Sequence, residues 1–191
     1  YWSNWMGLID LTSSVQIQRG LGSTSLAVPS AGGTVSVNTR AAEVDPGSGI
    51  KMSIGDNSYQ KFTAFHNTGV NELGWSSSFL LGFWQGDGWR NGMQGEGTTY
   101  AFSVGYTPRG GNHEFNFSLI GAGQWHHQAY YGTQLQDYLD YGPIQGDDFR
   151  KFNALYGDYQ GEEFSILRNY YNKPLATFNW DWEISSRVTL A

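Results

Sequence analysis

The ten residues TTYAFSVGYT, Thr98 to Thr107, constrain this chain more than any other stretch. Tyr100, Phe102, Val104 and Tyr106 fall on alternate positions, and Thr99, Ala101, Ser103 and Gly105 fill the gaps. A period of two places the rings on one face of a β-strand and the small residues on the other. The same alternation recurs three times. Trp75, Phe79, Leu81 and Phe83 oppose Ser76, Ser78, Leu80 and Gly82; Phe115, Phe117 and Leu119 oppose Glu114, Asn116 and Ser118; Phe178, Trp180, Trp182 and Ile184 oppose Thr177, Asn179, Asp181 and Glu183. A chain with this pattern must cover one aromatic face and hydrate or pack one small, polar face. Two arrangements satisfy it. In a soluble sandwich the polar face meets water; in an outer-membrane barrel it lines a lumen and the rings meet lipid.

Composition narrows the choice of class. With 8 Trp, 12 Tyr, 11 Phe and 26 Gly, and only 15% charged residues, the chain is too aromatic for a disordered segment and reads as antiparallel β. The net charge of −6 leaves no basic stripe for phosphates, so nucleic acid is not expected as a partner. The lack of cysteine removes disulfides, thiolate metal sites and a Cys nucleophile. Strands that alternate average out in a hydropathy window, so the absence of a long apolar run excludes only a helical span. A first residue of Tyr instead of Met reads as a mature terminus or an internal cut.

Organisation changes along the chain. Short strands are expected at Ser14 to Arg19 and Thr34 to Thr39, with Gly32-Gly33 just before the second. The Asp45-Pro46-Gly47 turn marks a linker, which divides residues 1–41 from residues 50–191, with 42–49 between them. After it come about five longer strands, too few to close a barrel wide enough for a plug. Thr107 to Asn112 and Ser185 to Arg187 read as short turns, whereas residues 123–173 read as one long loop of weak periodicity. Short turns on one side and long loops on the other are the habit of outer-membrane barrels. The chain is therefore expected to be part of a longer one.

Catalytic motifs are missing: no GxSxG, HExxH, GxxxxGKS or GxGxxG occurs. Asp147-Asp148 and Glu162-Glu163 are neighbours in sequence, whereas a glycosidase needs two carboxyls held across a sugar. Adjacent His126 and His127 point to opposite faces of a strand, so no metal site is expected there, and no cofactor is expected elsewhere. Trp125, His126, His127, Tyr130 and Tyr131 are the candidate ligand contacts, since long loops carry recognition and aromatic rings give contact area at low entropic cost.

The stretch IQRGLGSTSLAVPSAGGTVSVNT resembles the end of the plug domain of TonB-dependent outer-membrane receptors. In that family a strand ends in Arg-Gly, a small-residue loop follows, and Gly-Gly leads into a short apolar strand. Arg19, Gly20, Gly32 and Gly33 stand at those places. Residues Asn91 to Gly132 and Tyr170 to Ser185 look like barrel strands and an extracellular loop of Bacteroidota-type receptors. One departure stands out: Leu26-Ala27-Val28-Pro29-Ser30 occupies the loop where many receptors have Tyr-Gly, unlike the common glycan importers.

The resemblance implies an all-β fold: part of a transmembrane antiparallel barrel of about 22 strands around the end of a lumenal plug. It implies import of a scarce solute across the bacterial outer membrane, with outer-membrane lipid around the barrel and energy from TonB. A surface lipoprotein is a further possible partner. A buried Arg19 is expected to hold the plug through acidic groups of plug or wall. The rivals are a soluble β-sandwich carbohydrate-binding module, a secreted glycosidase, and a receptor-like barrel serving a larger outer-membrane complex. The sandwich requires Phe102, Val104 and Tyr106 to be buried against a second sheet.

Overall fold

A computed structural model describes residues 12–20 and 31–190. The chain is predominantly antiparallel β. A two-stranded hairpin comes first, from β1 (Ser14–Arg19) and β2 (Gly33–Asn38). Then β3 (Gly47–Ile54), β4 (Gln60–Asn67), β5 (Trp75–Gly86), β6 (Gly95–Tyr106) and β7 (His113–His127) form a meander in which each strand pairs with the next. The chain next makes an excursion through α1 (Leu135–Gln145) and a hairpin of β8 (Tyr156–Tyr159) and β9 (Glu162–Ser165). It rejoins the sheet as β10 (Arg168–Tyr171) and β11 (Leu175–Ser185), which share β7 as partner, and ends at β12 (Val188–Leu190). Among the described residues this eight-stranded sheet is open, with β3 at one edge and β12 at the other.

The registers carry the sequence alternation from strand to strand. Phe79 lies opposite Phe102, Val104 opposite Phe117, and Phe117 opposite Phe178, so the rings gather on one face. Asn67, Ser78, Ser103, Ser118 and Thr177 form a row on the other. Rings on neighbouring strands meet, with Phe79 and Phe102 at 5.1 Å between centroids.

Burial is inverted relative to a soluble sheet protein. Ser76, Ser78, Thr99, Ser103 and Ser118 are each at most 3% exposed, whereas Phe79 is 46%, Leu81 67% and Phe178 67% exposed. Isolated exposed apolar side chains are ordinary, but a contiguous ring-lined face is not. The buried face is held in part by hydrogen bonds between side chains: Ser103 Oγ donates to Asn116 Oδ1 at 3.2 Å and lies 2.9 Å from Ser118 Oγ. Its apolar content is a small island of Leu80, Ala101 and Ile120, with Phe65 against it. The second-sheet cover that a sandwich needs over Phe102, Val104 and Tyr106 is absent among the described residues. It is the small-residue face that is covered: β2 and the following turn line a cavity with Asn116, Ile120, Thr177 and Asn179.

Residues 123–173 differ from the expected single loop. β7 continues to His127, so Trp125, His126 and His127 are strand residues. The excursion then folds on itself. Asp137 Oδ2 accepts the Gln134 N–H at the start of α1 (2.9 Å), and Gly146 ends it. The helical period is weak in sequence because Gly142 and Pro143 interrupt its last turn. Gly142 is small for a reason: a Cβ there would lie 2.7 Å from Phe149 Cβ.

Candidate functional site

The segment that leaves the hairpin is tied to the sheet by ion pairs of one side chain, Arg40. The chain leaves β2 through Thr39 and Arg40 and turns once, at Ala41–Glu43, with Ala41 fully buried. That turn needs a flat surface under it. Gly105 supplies one: a Cβ there would lie 2.6 Å from Ser76 Oγ and 3.7 Å from the Ala42 nitrogen. Arg40 Nη1 then reaches Glu114 Oε1 at 3.2 Å and Asp181 Oδ2 at 2.8 Å. Glu114 and Asp181 are direct cross-strand partners on β7 and β11, on the buried face. Two like charges at such positions repel, and the repulsion grows as water leaves. Arg40 relieves it. Burial disfavours the Arg40 charge, but hydrogen bonding and attraction to Asp181, then to Glu114, outweigh it and raise its pKa above the ordinary value.

Arg19, the side chain expected to make such an ion pair, is exposed at the end of β1 and makes none among the described residues; the ion pairs described here belong to Arg40. Two of the nearby glycines take backbone angles that favour glycine. Gly20 has φ +71° and Gly33 +107°. A Cβ on Gly33 would lie 2.3 Å from the Gln18 carbonyl oxygen, so only glycine fits the register that pairs it with Arg19. Gly32 is described in the turn just ahead; the loop at Leu26 to Ser30 lies outside the described residues.

The candidate ligand contacts gather at the opposite end of the sheet, without forming one site. Trp125 lies on the ring face, stacked on Tyr170 (6.4 Å), and donates from Nε1 to Glu96 Oε1 at 2.9 Å. His126 turns to the other face, edge-on to Tyr171 at 6.0 Å. His127 Nδ1 lies 3.0 Å from Gln94 Oε1 and 3.2 Å from the Gly92 carbonyl. Tyr130 and Tyr131 belong to the excursion: Arg90 donates to the Tyr130 carbonyl oxygen at 2.9 Å and lies 6.0 Å over the Tyr131 ring. The carboxylate pairs are separate too. Asp148 takes both Nε and Nη2 of Arg150, at 2.8 and 2.9 Å, while Glu162 and Glu163 alternate along β9. No cluster of three metal-binding groups occurs among the described residues.

One residue that sequence reasoning missed organises this end. Asn153, fully buried, donates from Nδ2 to the Asn91 carbonyl (2.9 Å) and the Gln128 carbonyl (3.3 Å), and accepts the Leu155 N–H at Oδ1 (3.1 Å). Its backbone is clasped by Gln145, whose Oε1 accepts the Asn153 N–H and whose Nε2 donates to the Asn153 carbonyl, both at 2.9 Å. The excursion is thus tied to the β5–β6 connection and to the end of β7. No signal in the sequence marks Asn153.

Compared with protein-family models, curated proteins and solved structures, the chain matches none. The class its geometry defines is an antiparallel β protein whose rings face outward and whose hydroxyls face a covered interior.

Proposed function

We propose that this chain is the end of a plug domain and the adjoining barrel strands of a TonB-dependent outer-membrane receptor, which imports a scarce solute. The observation that carries this reading is the reversed burial: Ser78 is 1% exposed and Phe79, its neighbour on β5, 46%. Such a face is stable where hydrocarbon replaces water around the rings. Strand length supports it. β5 and β6 have 12 residues each and β11 has 11, against the roughly 9–11 that cross a bilayer when tilted. So does the placement of rings. Trp75 stacks on Tyr106 at 4.5 Å, and Trp180, Trp182 and His113 stack beside them near the short-turn end, as an interfacial girdle would.

In this reading β1 and β2 belong to the plug, Arg40 ties its end to the wall, and the excursion lies outside the cell with β10 at its return. TonB supplies the work that moves the plug, outer-membrane lipid surrounds the ring face, and a surface lipoprotein is a candidate partner for the excursion. No substrate bond changes, so no catalytic group is required. The test is fractionation of the intact protein from its cells. It is expected in the outer-membrane pellet, extracted by detergent and not by high salt or carbonate. Recovery in the aqueous phase without detergent would remove the reading.

A further inference from the structure

The sheet end opposite Arg40 carries a cup that nothing above explains. It encloses about 370 Å³ and is bordered by Tyr59, Trp84, Met93, His126 and Asp56, with glycines filling most of the remaining wall. The glycines are what admit the rings. The Trp84 indole lies across Gly95 and Gly97: a Cβ on Gly97 would meet its Nε1 at 2.6 Å, and one on Gly95 its Cη2 at 3.2 Å. Tyr59 packs the same way on Gly86, where a Cβ would meet its Cδ2 at 3.3 Å. Tyr59 is set at the rim by a tight turn in which its N–H reaches the Asp56 carbonyl at 3.3 Å and both Asn57 and Ser58 take φ +56°. This left-handed turn, natural for Asn57 and less so for Ser58, brings Asp56 and Tyr59 to the same rim.

The cup thus combines two electron-rich rings, the His126 imidazole, a polarizable thioether and one acidic residue, Asp56, and neither Lys nor Arg is among the described residues that border it. Lys61, opposite Trp84 in the strand register, stands beside the cup without bordering it. Ring faces attract cations through their quadrupole, most strongly for Trp and where water is excluded, and a nearby carboxylate adds attraction of the same sign. A sugar would use the hydroxyl, indole N–H, imidazole and carboxylate of the same side chains, so a neutral glycoside is the competing ligand in the test below. We propose that this cup binds a small organic cation of the quaternary-ammonium class. As an assignment of the transported substrate the proposal rests on the receptor reading; the binding itself does not.

The test uses the intact protein in detergent, titrated calorimetrically with choline, with its uncharged carbon isostere 3,3-dimethyl-1-butanol, and with methyl β-glucoside. Choline is expected to saturate the cup and to bind at least about ten-fold tighter than the isostere. Trp84→Leu is expected to weaken choline binding about ten-fold or more, and Asp56→Asn, on an exposed turn that leaves the strands intact, by several-fold. Equal affinity for the isostere, preference for the glucoside, no binding of choline, or choline binding unchanged in Asp56→Asn would each overturn the proposal. Any of these leaves the membrane fractionation result untouched, so the two readings fail separately.

Discussion

Replacing Arg40 by alanine is expected to cost about 3 kcal/mol of stability, although it removes a side chain from neither long sheet nor helix. Breaking a buried ion pair from one side costs roughly 3–5 kcal/mol, because the partner is left charged and dry. Arg40 and Asp181 are each 19% exposed and Glu114 is 30% exposed, which places the effect at the lower end of that range. Much of the cost is the repulsion that the mutation uncovers between Glu114 and Asp181. The triple variant Arg40→Ala, Glu114→Gln, Asp181→Asn is therefore expected to regain most of the loss. Denaturant unfolding of the intact protein in lipid vesicles measures both. A loss below about 0.5 kcal/mol for the single variant, or no recovery in the triple, would show that Arg40 is an ordinary surface cation.

Replacing Asn153 by alanine is expected to act as strongly, in a different place. Its side chain satisfies the carbonyls of Asn91 and Gln128 and the N–H of Leu155 at a position with no solvent exposure. Each buried group left without a partner costs about 1–3 kcal/mol, so the excursion should loosen by about 3 kcal/mol or more. The sheet should not follow, since its own ladders are untouched. Hydrogen exchange is the measurement. Amides of residues 128–167 are expected to exchange about a hundred-fold faster, with β5 and β6 unchanged. Asn153→Asp keeps the acceptor and loses both donations, so it should behave like alanine and not like the wild type. Unchanged protection across 128–167 in both variants would contradict the role assigned to Asn153.

The strands and their faces were legible wherever alternation ran for eight residues or more. β5, β6, β7 and β11 stand where Trp75, Tyr100, Phe115 and Phe178 begin their periods, and both hairpin strands lie within a residue of their expected bounds. β3 and β4 were not legible, because Gly49, Ser53 and Ala64 dilute their alternation and Lys51 and Lys61 sit on the covered face. Arg40 was missed for a different reason. Its partners are 74 and 141 residues away (114 − 40 and 181 − 40), and only strand register brings Glu114 opposite Asp181. Arg19 looked equivalent in sequence, because a motif fixes the backbone at Gly20 and Gly33 and says nothing of where a long side chain finds its carboxylate. The excursion was hidden because its order comes from a few buried polar contacts to Asn153, which leave no period behind. Trp84 escaped notice as one more aromatic residue at the end of a strand. Only the glycines of β6, a strand away, show that its indole has been given a seat.

The outward rings of β6 are the claim on which the rest depends. The absence of cysteine allows single-cysteine variants with no background at each position from Thr98 to Tyr106. Spin-labelled in the intact protein and reconstituted in phospholipid bilayers, positions 100, 102, 104 and 106 are predicted to collide readily with dissolved oxygen and poorly with a water-soluble nickel chelate. Positions 99, 101, 103 and 105 should be shielded from oxygen. If positions 102 and 104 were instead closed to both reagents, those rings would lie in a protein core and the membrane account would be wrong.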